Sequence, residues 1–288
     1  MNPKKSEIKL IECPRDAMQG WKNFIPTEKK IEYINQLLKV GFDTIDFGSF
    51  VSHKAVPQMA DTKEVIERLE IKDNSTKLLA IIANTRGAQE ASVFEKIHYL
   101  GFPFSISPTF QMRNANSTIE ESLQRVREIK NICDKSEKEL VVHISMAFGN
   151  PYGDRYNEDI VLEWIKKIVE EGTGIISLAD TVGLADASQV ASTVNKVISQ
   201  FPGLETGVHL HSTNLNWQQK IDAALQNGCL RFDGALKGFG GCPFAEDELV
   251  GNMNTELMIP YFKQTGLLKN INETELLKAS QMASEIFI

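Results

Sequence analysis

Two imidazoles two positions apart, His209-Leu-His211, close an extended segment that begins at Glu205. At that spacing both rings leave the same face of a strand. Two nitrogen donors joined by carboxylate and amide oxygens make a mixed site that suits Mg, Mn, Co or Zn. Oxygen donors are available far away in the chain, at Asp16 beside Arg15 and at Asn252. Each residue also has an ordinary reading. The histidines can be polar strand residues, Arg15-Asp16 a strand-end ion pair, Asn252 the cap of the helix after it and Cys242 a small loop residue. The elements that carry these residues decide between the readings.

Short apolar, β-branched runs alternate with longer amphipathic ones along nearly the whole chain. The runs predict strands over 8–13, 44–50, 77–83, 104–107, 140–147, 174–178, 206–211 and 231–236. Helices are expected over 27–40, 62–69, 86–100, 158–171, 187–200 and 218–226, with another that opens in a Ser117-Thr-Ile-Glu120 capping box and runs to 133. Eight strand-then-helix units signify a parallel sheet with crossover helices, and eight strands close a barrel. An open doubly wound sheet would carry a glycine-rich phosphate turn after strand one, where Pro14-Arg15-Asp16 stands instead. The fold class expected is an α/β TIM (β/α)8 barrel. Residues 1–288 form a single catalytic domain in this reading, with accessory C-terminal helices over 254–265 and 273–287 packed beside or beneath the barrel.

That fold sorts the polar residues, because barrel active sites lie at the C-terminal ends of the strands. Arg15 and Asp16 follow strand one, Asp46 lies in strand two, and Asp180 follows strand six. His209 and His211 end strand seven, and Cys242 and Asn252 belong to the loop after strand eight. All fall at one face.

Composition narrows the classes further. The 288 residues are 42% hydrophobic and 24% charged, as in ordinary globular chains. A net charge of −7 argues against a nucleic-acid-binding surface. No apolar run reaches the roughly 18–20 residues of a membrane span, and the first residues hold no apolar signal core. Cys13, Cys133, Cys229 and Cys242 are scattered without metal or disulfide spacing, so a reducing cytoplasm is expected.

Six segments, in order, resemble the 3-hydroxy-3-methylglutaryl-CoA lyase family. Ile11-Glu-Cys-Pro-Arg-Asp-Ala-Met-Gln19 resembles its Pro-Arg-Asp-Gly-Leu-Gln opening. Ser49-Phe-Val-Ser-His-Lys-Ala-Val-Pro-Gln-Met59 and Asn116-Ser-Thr-Ile-Glu-Glu-Ser122 resemble two further family stretches. Ile176-Ser-Leu-Ala-Asp-Thr-Val-Gly183, His209-Leu-His211 and Gly240-Gly-Cys-Pro-Phe-Ala245 complete the set, which covers roughly residues 8–260. The resemblance implies a metal-dependent carbon–carbon lyase acting on an acyl-CoA thioester. Asp16, His209, His211 and Asn252 would hold the divalent cation, usually Mg or Mn. Arg15 would stabilise the enolate of departing acetyl-CoA, with Asp46 beside it. Asp16 or a histidine would be the general base, and Cys242 would protonate the enolate from a loop whose glycines let it close. Gln19, Ser177 and Asp180 would contact substrate along with Arg15. Dimers are typical of the family, so a homodimer is expected.

Four departures stand out. Asp46 replaces the family's usual Glu, Ser212 an Asp, and Asn150 a Cys, while the segment from Cys242 to Asn252 is longer and more acidic than the family form. None removes a proposed ligand or Arg15. They bear on the exact acyl-CoA and keep two other functions in view. One is a condensing enzyme of the isopropylmalate or homocitrate synthase type, disfavoured by Gly-Gly-Cys-Pro. The other is a catalytically impaired barrel that binds metal and acyl-CoA.

Overall fold

A computed structural model describes residues 7–71, 76–241, 251–268 and 271–287. The barrel strands are β1 (Lys9–Glu12), β2 (Thr44–Phe50), β3 (Lys77–Ile82), β4 (Tyr99–Ser105), β5 (Glu139–Ser145), β6 (Ile175–Ala179), β7 (Glu205–His209) and β9 (Arg231–Gly234). They pair in parallel in that order, and β9 closes onto β1 with Asp233 opposite Ile11. The expected TIM barrel is therefore the fold.

Strand period explains the two-sided packing. In β3, Leu79 and Ile81 face the barrel interior, while Leu78, Ala80 and Ile82 join the core under the helices. Leu79, Tyr99, Val141 and Ile175 cluster in the interior. Arg231 also lies within, its side chain stacked so closely over Gly207 that a Cβ there would meet it at 2.8 Å.

The outer helices include α2 (Thr27–Leu37), α3 (Thr62–Arg68), α4 (Thr85–Ser92), α6 (Ile119–Lys135), α7 (Glu158–Glu170), α8 (Ala187–Gln200) and α9 (Trp217–Gln226). Helix α6 opens in a capping box, but one formed by Thr118 and Glu121, one position later than expected. The expected helix over 86–100 ends at Ser92, and its last two residues open β4. A short apolar run carries no decisive period, and barrel closure claims it as strand.

Two short helices were not foreseen. Helix α1 (Pro14–Gln19) and α5 (Pro108–Ala115) follow β1 and β4 directly, each opened by a proline whose missing N–H costs nothing at a first turn. The C-terminal helices α10 (Thr255–Thr265) and α11 (Glu273–Ile286) pack beside the barrel. Phe262 meets Phe232 with ring centroids 4.8 Å apart, and Gln36 of α2 donates to the Glu275 carbonyl at 3.0 Å. Between barrel and α10, fully buried Glu12 accepts from Leu236 N–H at 2.8 Å and from the Thr255 hydroxyl at 2.6 Å.

Candidate metal centre

A cavity of about 420 Å³ opens where the barrel strands end, with Arg15, Asp16, Asp46, His209 and His211 in its wall. Helix α1 presents Arg15, Asp16 and Gln19 to it one turn after β1. The opposite wall is apolar, with Val51, Val56, Leu79, Ile81 and Phe110.

The two histidines reach it by different routes. β7 ends at His209, and the chain leaves the barrel at Leu210, so the single strand expected over 206–211 is divided. His211 begins β8 (His211–Ser212), which pairs antiparallel with β10 (Gly251–Asn252). Asn252 is the register partner of His211. The ladder thus brings a residue from late in the chain to the histidine pair, whose ring centroids lie 5.3 Å apart.

Donor atoms of Asp16, His209 and His211 all lie within 4.8 Å of one another. Asn252 donates through Nδ2 to Asp16 Oδ2 at 2.6 Å and to the Phe239 carbonyl at 2.9 Å. Both partners are acceptors, which fixes the amide orientation and leaves buried Oδ1 without a partner. His211 Nε2 is likewise buried and unpartnered. An unsatisfied buried oxygen and nitrogen beside a carboxylate and a second imidazole fit a divalent cation well.

Electrostatics agree. Burial pushes the Asp16 carboxyl up, but Arg15 and His209 outweigh it and hold the group at about 2. Burial, then His209, lowers His211 to about 4, keeping its ring neutral, the form that ligates metals. A turn at Gly240, with φ of 98°, packs against this group. A Cβ there would meet Asn252 Nδ2 at 2.6 Å and the Asp16 carbonyl at 3.0 Å.

A second trio, Cys13, His209 and Asp233, shares His209 and lies alongside. Its chemistry is different. Burial raises the Cys13 thiol well above its usual range, away from the thiolate that metals need. Asp233 Oδ2 already faces His209 Nδ1 at 3.3 Å and accepts from the Ser177 hydroxyl at 3.2 Å. Such a carboxylate orients an imidazole so that its other nitrogen points at a metal. Asp233 was missed in the sequence. It stands two residues after Arg231 on the inward face of the last barrel strand, and that period was its available signal.

Arg15 is anchored on three sides. Its Nε and Nη2 grip Asp46 at 2.6–3.2 Å, and Nη1 reaches Asp16 at 2.9 Å and Gln19 at 3.0 Å. Burial opposes its charge, yet Asp46 and Asp16 raise its affinity for the proton. Of five guanidinium hydrogens this leaves one, on Nη2, free for an anionic oxygen.

Two residues expected to contact substrate are engaged within the protein. Ser177 and Asp180 do not line the cavity. Ser177 supports Asp233, and Asp180 forms a buried ion pair with Lys220 at 2.8 Å. Ser177 shares the inward face of β6 with Ile175 and Ala179, while Asp180 turns outward to Lys220 of α9. His143, given no role in the sequence, does line the cavity, its ring 6.4 Å from that of His209. Cys242 lies outside the described residues. Asn150, in place of a Cys, accepts from the N–H groups of Tyr152 and Asp154 at 3.0 and 3.1 Å and shapes its own loop.

Residues 8–283 match the HMGL-like family. The chain is 31% identical over 286 residues to hydroxymethylglutaryl-CoA lyase YngG of Bacillus subtilis, covering 98% of this chain and 93% of that one. To the mitochondrial hydroxymethylglutaryl-CoA lyase of Mus musculus it is 31% identical, covering 95% of this chain and 83% of the other. A solved HMG-CoA lyase from Acinetobacter baumannii, in complex with coenzyme A and 3-methylmalate, superposes with a TM-score of 0.90 at 30% identity. That match covers 100% of this chain and 93% of the other.

Proposed function

The chain belongs to the HMGL-like family, and from that premise we propose that it is a carbon–carbon lyase that cleaves 3-hydroxy-3-methylglutaryl-CoA to acetyl-CoA and acetoacetate. The observation that carries this reading is the convergence of Arg15, Asp16, His209 and His211 on one cavity. Asp16, His209, His211 and Asn252 would hold a divalent cation, Mg or Mn by the family resemblance, in an oxygen-and-imidazole set that suits such ions. Such a cation would supply Lewis acidity that makes the substrate hydroxyl easier to deprotonate.

The chain's own groups do the rest. Removal of the 3-hydroxyl proton falls to Asp16, whose carboxylate lies beside both imidazoles. The C2–C3 bond then breaks, its electrons move into the departing thioester, and the 3-carbon becomes the ketone of acetoacetate. Arg15 directs its remaining Nη2 hydrogen at the enolate oxygen, where a preset donor in a low-dielectric cavity acts most strongly. Gln19 and Asp46 keep the guanidinium in place. Cys242, which follows Gly241 in the chain, delivers a proton to the enolate carbon and completes acetyl-CoA.

Among the described residues no helix is long and apolar enough to cross a membrane. We read the whole chain as one catalytic unit that works as a homodimer, on the strength of the family resemblance, and in the cytoplasm, since its four scattered cysteines suit a reducing compartment.

The test is a steady-state assay with 3-hydroxy-3-methylglutaryl-CoA and Mg or Mn. Release of acetyl-CoA is expected. Release no greater than that of a Cys242→Ala control rejects the lyase.

A further inference from the structure

Lys220 is a cation with almost no access to water. It lies on the barrel-facing side of α9, with its side chain 1% exposed. Its Nζ donates to Asp180 Oδ2 at 2.8 Å and to the His211 carbonyl at 2.7 Å. Asp180 is 2% exposed and donates its own backbone N–H to the His209 carbonyl at 2.9 Å. Its Oδ1 accepts from Ala185 N–H at 3.1 Å, which ties the pair to the loop after β6. The carbonyls of both histidines therefore end on one buried ion pair.

Stability alone gives little reason for such a pair. Taking two charges out of water costs about as much as their attraction returns, and apolar residues of similar volume often serve as well. Its value lies in fixed geometry. Among the described residues β8 pairs with β10 alone, so this short ladder needs a tie to the rest of the fold. Lys220 supplies it at His211, and the register carries the constraint across to Asn252.

We propose that Lys220, through its ion pair with Asp180, is a positioning residue that sets His209-Leu-His211 and Asn252 at cation-binding geometry. This rests on the reading that those residues and Asp16 hold the cation. Lys220 touches neither cation nor substrate; it acts through the His211 carbonyl.

The experiment measures the Mn(II) dissociation constant by calorimetry, with thermal unfolding followed on the same samples. The Lys220→Met/Asp180→Leu double variant removes both charges and keeps the seam filled. It should retain a cooperative transition and bind Mn(II) ~10-fold or more weakly, the scale at which partners behind a ligand act. Asp180→Asn, which preserves side-chain size, is the second variant and should shift the affinity in the same direction. Mn(II) affinity within twofold of the parent in the folded variants overturns the proposal. His211→Ala separates the two levels. If it abolishes Mn(II) binding while the folded double variant binds normally, the cation site stands and the role of Lys220 falls. If His211→Ala binds normally, the cation site itself is wrong and this inference falls with it.

Discussion

Arg15 and Asp46, 31 positions apart, meet in a two-point fork in which Nε and Nη2 both contact the carboxylate, the shortest distance being 2.6 Å. Aspartate is a methylene shorter than the glutamate usual in the family, yet the fork closes because α1 follows β1 at once and lies against β2. The arginine can therefore turn its last free hydrogen only into the cavity. A bidentate guanidinium–carboxylate contact fixes both direction and distance.

Arg15→Met should lower turnover by about 100-fold or more, since a single preset donor to a developing oxyanion is worth that much. Mn(II) affinity should stay close to that of the parent. A loss of turnover below tenfold, measured in the steady state, rejects the enolate role.

Asp46 gives the enzyme an acid limb. Burial, opposed by Arg15, pushes its carboxyl from 3.8 up to about 6. A raised folded value means that the ionised form is the strained one, so its contribution to stability is full below 3.8 and lost as pH rises through about 6. Activity runs the other way, because the fork needs the carboxylate. kcat/KM should fall as pH drops through about 6, and Asp46→Asn should lower activity and erase that limb. The same limb in Asp46→Asn would assign it to another group.

Asp233→Asn should weaken Mn(II) binding by ~10–100-fold while leaving thermal unfolding nearly unchanged, since it loosens the His209 ring without opening a void. His209→Ala, which deletes the donor itself, should lose more. Equal metal content in His209→Ala and the parent after dialysis would remove His209 from the site.

Glu12 makes a prediction about stability alone. Burial raises its carboxyl to about 8, against the donors Thr255 and Leu236. Its contribution to stability is full below 4.5 and lost as pH rises through about 8. Glu12→Gln keeps an acceptor for Leu236 N–H and removes the charge. It should raise Tm at pH 8 and leave it near the parent value at pH 4.5. A lower Tm at pH 8 would show that the ionised carboxylate is the stabilising form.

Much of the architecture was legible because it rests on local pattern. Alternation of apolar runs with amphipathic ones marks βα units, and eight units close a barrel. Placement of Arg15, Asp16 and His209 at the strand ends followed from register alone. The errors fell where local signals compete. Tyr99 and Leu100, read as a helix tail, open β4, and Thr118 took the cap that Ser117 could have filled. Ser177 and Asp180 were assigned to substrate from position, but Ser177 is held by Asp233 and Asp180 by Lys220, partners that only the fold supplies.

The sequence by itself determined the barrel, the family resemblance and the set of residue types able to hold a cation. Those follow from period, spacing and chemical kind. The tertiary structure decided which atoms remain free to do so. Whether Asn252 turns its oxygen or its nitrogen inward depends on Asp16 and Phe239, contacts that chain closure creates. That His211 leaves the strand of His209 depends on the β8–β10 ladder, and that Asp233 and Lys220 stand behind the histidines depends on β9 and α9 packing beside them. A hydrogen-bond partner distant in the chain leaves no period in the sequence, and only the folded chain assigns it.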